Sequence, residues 1–190
     1  MIATLTEITR EQFDVDIELY YATDRNVTGK TIYRNARCYL RQEAADCLKS
    51  AISHAANLGL KLKLWDAFRP VEAQRVLWHA FPGSDYVSDP DTGRCPHCRG
   101  VAIDLTLIDR ASGEELDMGT GFDDFEEAAW HLNETVSVEA RKNRLLLAGL
   151  MHTAGFEKFD YEWWHYQLPD CERFPTLTDQ EAGTQLMPTQ

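Results

Sequence analysis

Residues 101–109, VAIDLTLID, alternate as a strand does, with Val101, Ile103, Leu105 and Leu107 on one face and Ala102, Asp104 and Thr106 on the other. A carboxylate in the middle of so apolar a strand is costly to bury unless it is paired or bound to a cation. Any fold of this chain must therefore bring Asp104 a partner: a neighbouring loop, an arginine, or a metal ion with its other ligands.

The rest of the pattern supplies the scaffold. Residues 14–21, DVDIELYY, alternate like a half-buried strand. Ala45, Leu48, Ile52 and Ala55 stand at helical spacing, predicting a helix over 41–57 that stops at Gly59. Residues 60–66 read as a strand, and Pro70 is placed to open a helix over 71–81, because its missing N–H would be unpaired there in any case. A loop is expected over 83–94. Ser137 caps a helix ending near Ala154, with Glu139 in its first turn and Gly155 just past its end. The aromatic run 156–168 predicts a terminal strand, and the tail after about 170 is expected to be loosely ordered. Helices and strands mix without βαβ alternation, and no repeat or linker interrupts them. The expected class is α+β, a single domain over residues 1–190.

Charge narrows the partners. A formal net charge of −12 disfavours nucleic acid and anionic membrane, leaving small neutral or zwitterionic substrates and metal cations. The N-terminal stretch has neither a basic start nor an apolar core, and no apolar run approaches the ~18 residues that span a bilayer. The five cysteines are odd in number and mostly scattered, unlike a secreted disulfide framework. A cytoplasmic setting is expected; oligomeric state is not legible.

Two kinds of chemistry compete just before the strand. Cys95-Pro96-His97-Cys98 has the spacing of a redox dithiol, but such a thiol works at a helix N-terminus, and here Arg99-Gly100 leads into a strand. No second Cys-x-x-Cys or His-x-x-x-His pair completes a zinc knuckle. His97, by contrast, stands seven residues before Asp104, and Tyr161-Glu162-Trp163-Trp164-His165 offers a further imidazole. His97, Asp104 and His165 would make the three-ligand set of a catalytic zinc, with Glu162 free to act on a water. Residues three apart in a regular strand face opposite sides, so Glu162 and His165 converge only if the strand bulges, twists or ends between them.

Taken together, these residues resemble the zinc D,D-peptidase family, the D-alanyl-D-alanine dipeptidases in particular. The family's metal pattern, Ser-x-His-x-x-Gly-x-Ala-x-Asp, is met by Cys95-Pro-His97-Cys-Arg-Gly100-Val-Ala102-Ile-Asp104 at every fixed position except the first, and Glu-x-x-His by Glu162-Trp-Trp-His165. Tyr21 to Lys30, Trp65-Asp66-Ala-Phe-Arg69-Pro70 and Met118-Gly-Thr-Gly-Phe-Asp123 look like three more family segments, in the right order. The resemblance implies a mainly antiparallel sheet with flanking helices, one zinc ion on His97, Asp104 and His165, and hydrolysis of D-alanyl-D-alanine. It implies Glu162 as general base, Arg69 as stabiliser of the tetrahedral intermediate with Asp66 helping to hold it, and Tyr21, Asp123, Cys95 and Asp66 as the residues in contact with the dipeptide. Cys95 replaces the family serine, a poorer hydrogen-bonding group in the same place and a conceivable fourth zinc ligand.

Each assignment has a plainer rival. Arg69 and Asp66 could form a surface ion pair, Tyr21 could end a core strand, and Asp123 could begin a helix. Trp163 and Trp164 suit packing, and His54, His79, His131 and His152 carry no expected role. Three functional classes stay open: the zinc dipeptidase, with a D,D- or L,D-type peptidase of longer cell-wall peptides as its near variant; a thiol oxidoreductase using Cys95 and Cys98; and a non-catalytic zinc module. Glu162 and Arg69 weigh against the last, since a structural zinc site needs neither.

Overall fold

The computed structural model describes residues 4–84 and 86–188; positions 1–3, 85 and 189–190, parts of the stretches read as N-terminus, loop and tail, lie outside it. A five-stranded sheet forms its centre, in the order β2 (Asp16–Ile17), β4 (Leu60–Asp66), β5 (Ala102–Asp109), β7 (Glu162–Gln167), β6 (Glu157–Phe159). Only the β2–β4 pair is parallel; the other three pairs are antiparallel. β1 (Thr6–Ile8) and β3 (Cys38–Leu40) make a separate antiparallel pair. The expected α+β architecture, a mainly antiparallel sheet with flanking helices, is the one observed.

Two long helices, α2 (Gln42–Ala56) and α4 (Val138–Thr153), pack against the sheet and each other. α2 buries Ala44, Ala45, Leu48, Ala51 and Ala55, and its alanines let it lie close to its neighbours. Ser137 caps α4 as expected, its hydroxyl accepting from the Ala140 N–H. α3 (Val71–Ala80) starts directly after Pro70. β5 is buried on both faces through Ile108, so the polar side of its alternation, Asp104 included, faces protein and not water.

Three expectations need correction. Residues 14–21 do not form one strand. Asp14 takes a left-handed conformation that closes the short helix α1 (Arg10–Phe13), only two residues pair as β2, and Tyr21 sits in a 3-10 turn over Tyr20–Ala22. The aromatic run is not one strand either: β6 and β7 form a tight hairpin whose register slips between Lys158 and Phe159. Nor is the tail loose. Thr178 opens α5 (Asp179–Ala182) with a full capping box, the Asp179 carboxylate accepts from the Leu186 and Met187 N–H groups and the Thr184 hydroxyl, and Leu186 is fully buried. A polar-looking tail was ordered by local side-chain caps that hydrophobic periodicity does not register.

Candidate active site

The site begins with backbone geometry around the 3-10 turn His97–Arg99. Gly100 ends that turn at φ 71°, left-handed, and a Cβ there would press on Leu5 and Arg41. Glycine therefore lets the chain reverse into β5 with His97 folded back over the strand. Asp104 lies opposite His165 in the β5–β7 pairing, and cross-strand partners share a face of the sheet.

The three side chains converge. His97 Nε2 lies 3.1 Å from His165 Nδ1 and 3.2 Å from Asp104 Oδ2; His165 Nδ1 lies 3.1 Å from Asp104 Oδ1. Donor atoms bonded to zinc at about 2.0–2.1 Å in a tetrahedral site stand about 3.3 Å apart; each imidazole stands near that spacing from the other and from a different Asp104 oxygen, and one donor atom from each residue lies within 4.8 Å of the others. All three residues are buried, and among the described residues they are the group placed to hold a metal ion. Cys95 is not part of it: its thiol donates instead to the Asp89 carbonyl, 3.1 Å away.

Second partners aim the ligands. His97 Nδ1 donates to the Ala67 carbonyl at 2.7 Å, leaving Nε2 free to accept a metal. His165 Nε2 lies 3.2 Å from Gln167 Oε1. Burial would raise the Asp104 carboxyl, but the imidazoles of His97 and His165 hold it well below the ordinary range, so it is a carboxylate.

Glu162 joins through the slip in the hairpin. Lys158 pairs with Tyr166 but Phe159 pairs with Glu162, so Trp163–His165 bulge and the i, i+3 pair ends up on one side. Glu162 Oε2 is 3.9 Å from His165 Nδ1. Burial, with Asp104 adding its charge, pushes the Glu162 carboxyl up to about 7, where it can both accept and release a proton.

Arg69 is no surface ion pair. A second register shift, between Leu64 and Asp66, sets Asp66 opposite Asp104. Two facing carboxylates repel, and Arg69 offsets part of that repulsion: Nε donates to Asp66 Oδ2 at 2.8 Å, and Nη2 lies 3.6 Å from Asp104 Oδ2. Nη1 donates to Gln74 Oε1 at 2.9 Å, and the guanidinium lies over the Tyr21 ring, 4.8 Å from its centroid. Tyr33 donates to the other Asp66 oxygen at 2.9 Å. Asp66 does not line the cavity, which corrects its expected place in substrate contact; it holds Arg69.

Tyr21 donates to Asp123 Oδ2 at 2.8 Å. Asp123 begins no helix: its φ is 57°, within an irregular segment. α4 fixes that segment. The buried Arg144 donates to the Met118 and Trp130 carbonyls at 2.7 and 2.8 Å, and Asn143 to the Asp117 carbonyl at 2.9 Å. Burial raises the Asp123 carboxyl well above its ordinary value, so it gains most from a cationic partner.

Tyr21, Arg69, Cys95, His97, Asp104, Asp123, Glu162 and His165 line one cavity of about 210 Å³, below the range that drug-sized ligands fill, so it suits a small, polar one. Trp163 packs in the core, whereas Trp164, read as packing, also reaches the cavity wall. His54, His79, His131 and His152 are absent from that wall. The residues that sequence reasoning missed are Tyr33, Gln74 and Gln167, whose types carry no motif; a glutamine on the buried side of α3 was the one visible signal.

A family model described as D-ala-D-ala dipeptidase matches residues 2–182. The D-alanyl-D-alanine dipeptidase of Escherichia coli (strain K12) is 46% identical over 167 residues, 88% of this chain and 86% of its own. That of Enterococcus faecalis (strain ATCC 700802 / V583) is 34% identical over 174 residues, 82% of this chain and 86% of its own. Among solved structures, the LdcB LD-carboxypeptidase aligns with 91% of this chain and 76% of its own, at a TM-score of 0.48 and 21% identity.

Proposed function

The chain belongs to the D-Ala-D-Ala dipeptidase family, a family of peptidases, and from that premise we propose that it hydrolyses D-alanyl-D-alanine to free D-alanine with one zinc ion, in the cytoplasm. The observation that carries this reading is the convergence of His97, Asp104 and His165, which bring one donor atom each within 4.8 Å of one another, beside a raised carboxyl and a buried guanidinium. His97, Asp104 and His165 would hold the zinc ion, which would supply Lewis acidity and bring the pKa of a water to about 7.

The remaining work falls to the chain's own side chains. Glu162 accepts the proton of the attacking water and then delivers a proton to the leaving amine, a double duty suited to a carboxyl near 7. Arg69 has two of its nitrogens spent on Asp66 and Gln74 and keeps Nη2 toward the cavity, where it stabilises the oxygen that becomes negative in the tetrahedral intermediate. Asp123, oriented by Tyr21, pairs with the ammonium group of the dipeptide. Cys95 lies along the cavity wall where the family serine is expected and bears on how the dipeptide seats.

The test is release of D-alanine from D-alanyl-D-alanine by zinc-loaded, reduced protein, with a chelated sample beside it. Release that disappears on chelation is the expected result. No release from protein carrying stoichiometric zinc removes this substrate and turns the reading to longer cell-wall peptides.

A further inference from the structure

The two imidazoles at the candidate metal site present different nitrogens, Nε2 from His97 and Nδ1 from His165. A neutral imidazole carries one N–H and one lone pair, so each ring must hold its proton on the far nitrogen for the near one to bind a cation. For His97 the far nitrogen meets a backbone carbonyl, that of Ala67, which can only accept. For His165 it meets a side chain. Nε2 lies 3.2 Å from Gln167 Oε1, while the Gln167 amide nitrogen is directed to Cys171 Sγ at 4.0 Å.

We propose that Gln167 is a positioning residue for the metal: it accepts the Nε2 proton of His165 and so commits Nδ1 to coordination. The proposal rests on the zinc reading above. The rival tautomer would place a proton on Nδ1, 3.1 Å from Asp104 Oδ1, and that hydrogen bond would occupy a donor atom of two ligands at once. Gln167 supplies the competing acceptor that favours the productive form.

Strand geometry provides the means. Gln167 follows His165 by two positions on β7, so both face the same side, and its cross-strand partner on β5 is Ala102. Alanine opposite leaves the longer glutamine side chain free to lie back along the strand to the imidazole. Asparagine, one methylene shorter, would fall short of a ring nitrogen already 3.2 Å away.

The experiment measures zinc affinity by chelator competition for the full chain and for Gln167→Leu and Gln167→Glu, with urea midpoints taken in parallel. Gln167→Leu is expected to lose affinity by about 10- to 100-fold, and Gln167→Glu, which keeps an acceptor oxygen at the same reach, to bind at least as tightly as the native chain. Nitrogen-15 NMR of the zinc-loaded native protein adds a reading that needs no variant and should find the His165 proton on Nε2. Equal affinity in folded Gln167→Leu, or the proton on Nδ1, overturns the proposal while leaving the zinc reading in place. If Gln167→Leu fails to fold, weakened binding by Gln167→Glu also overturns it. Failure of the native chain to bind zinc overturns both.

Discussion

Glu162 and His165 stand three apart in one strand yet meet at 3.9 Å, because the hairpin register slips between Lys158 and Phe159. A regular strand would have sent one of them to the far face of the sheet. The slip therefore joins the proposed base to the proposed ligand set, and it separates two roles that mutation can tell apart.

Glu162→Ala should keep zinc and lose hydrolysis, by about 10²- to 10⁴-fold, the usual value of a positioned general base. His165→Ala should lose both. Parallel metal analysis and D-alanine release check this pair, and turnover retained in Glu162→Ala would remove the base assigned here.

Arg69→Lys should lower kcat by about 10²- to 10³-fold with zinc content unchanged. A lysine ammonium is a point donor and cannot hold Asp66 and Gln74 while also facing the cavity, as the guanidinium does. Steady-state kinetics with metal analysis decides; a rise in KM alone would place Arg69 in binding and not in transition-state stabilisation.

Arg144→Met should destabilise the fold by about 2–4 kcal/mol, since the Met118 and Trp130 carbonyls lose a buried donor. The segment they belong to carries Asp123, so KM should rise further than kcat falls. Urea unfolding and kinetics at the same temperature measure both.

The stabilising contribution of neutral His131 should fall between pH 7 and pH 5, read as the native chain against a variant that lacks the imidazole. Burial, with Lys158 and Arg144 nearby, takes its pKa from 6.5 down to about 4. The unfolded chain thus binds the extra proton first: the contribution is complete above pH 6.5 and is lost as pH drops toward 4. The loss at pH 5 is about 2 kcal/mol by linkage, so the urea midpoint of the native chain should fall relative to that of His131→Leu between pH 7 and pH 5.

The Cys95→Ser, Cys98→Ser double variant should retain dipeptide hydrolysis within about tenfold, roughly 1.4 kcal/mol in the barrier. All five cysteines are free thiols, Cys98 is fully buried, and the Cys95 thiol points to the Asp89 carbonyl and away from the ligand trio. Activity abolished by this change would favour thiol chemistry.

Much of the scaffold was legible because periodicity reports burial. β4 falls on residues 60–66 as its alternation requires, and α2 and α4 fall within a residue or two of their expected bounds. The failures share a cause. Asp14 turning left-handed, the hairpin at Asp160 and Tyr161, and the capped α5 are decided by single local hydrogen bonds and dihedral choices, to which a hydrophobic pattern is blind.

For the site, sequence alone determined which residue types demanded partners: a carboxylate at Asp104 within an apolar strand, and imidazoles at His97 and His165 able to meet it. It could not determine the meeting. Two register shifts, one between β4 and β5 setting Asp66 opposite Asp104 and one within the β6–β7 hairpin bringing Glu162 to His165, are fixed by how the paired strands settle against each other. Gln74, Tyr33, Gln167 and the Ala67 carbonyl then hold the charged groups in place. Hydrogen bonds of this kind depend on a few tenths of an ångström between elements, and only the packed tertiary structure sets such distances.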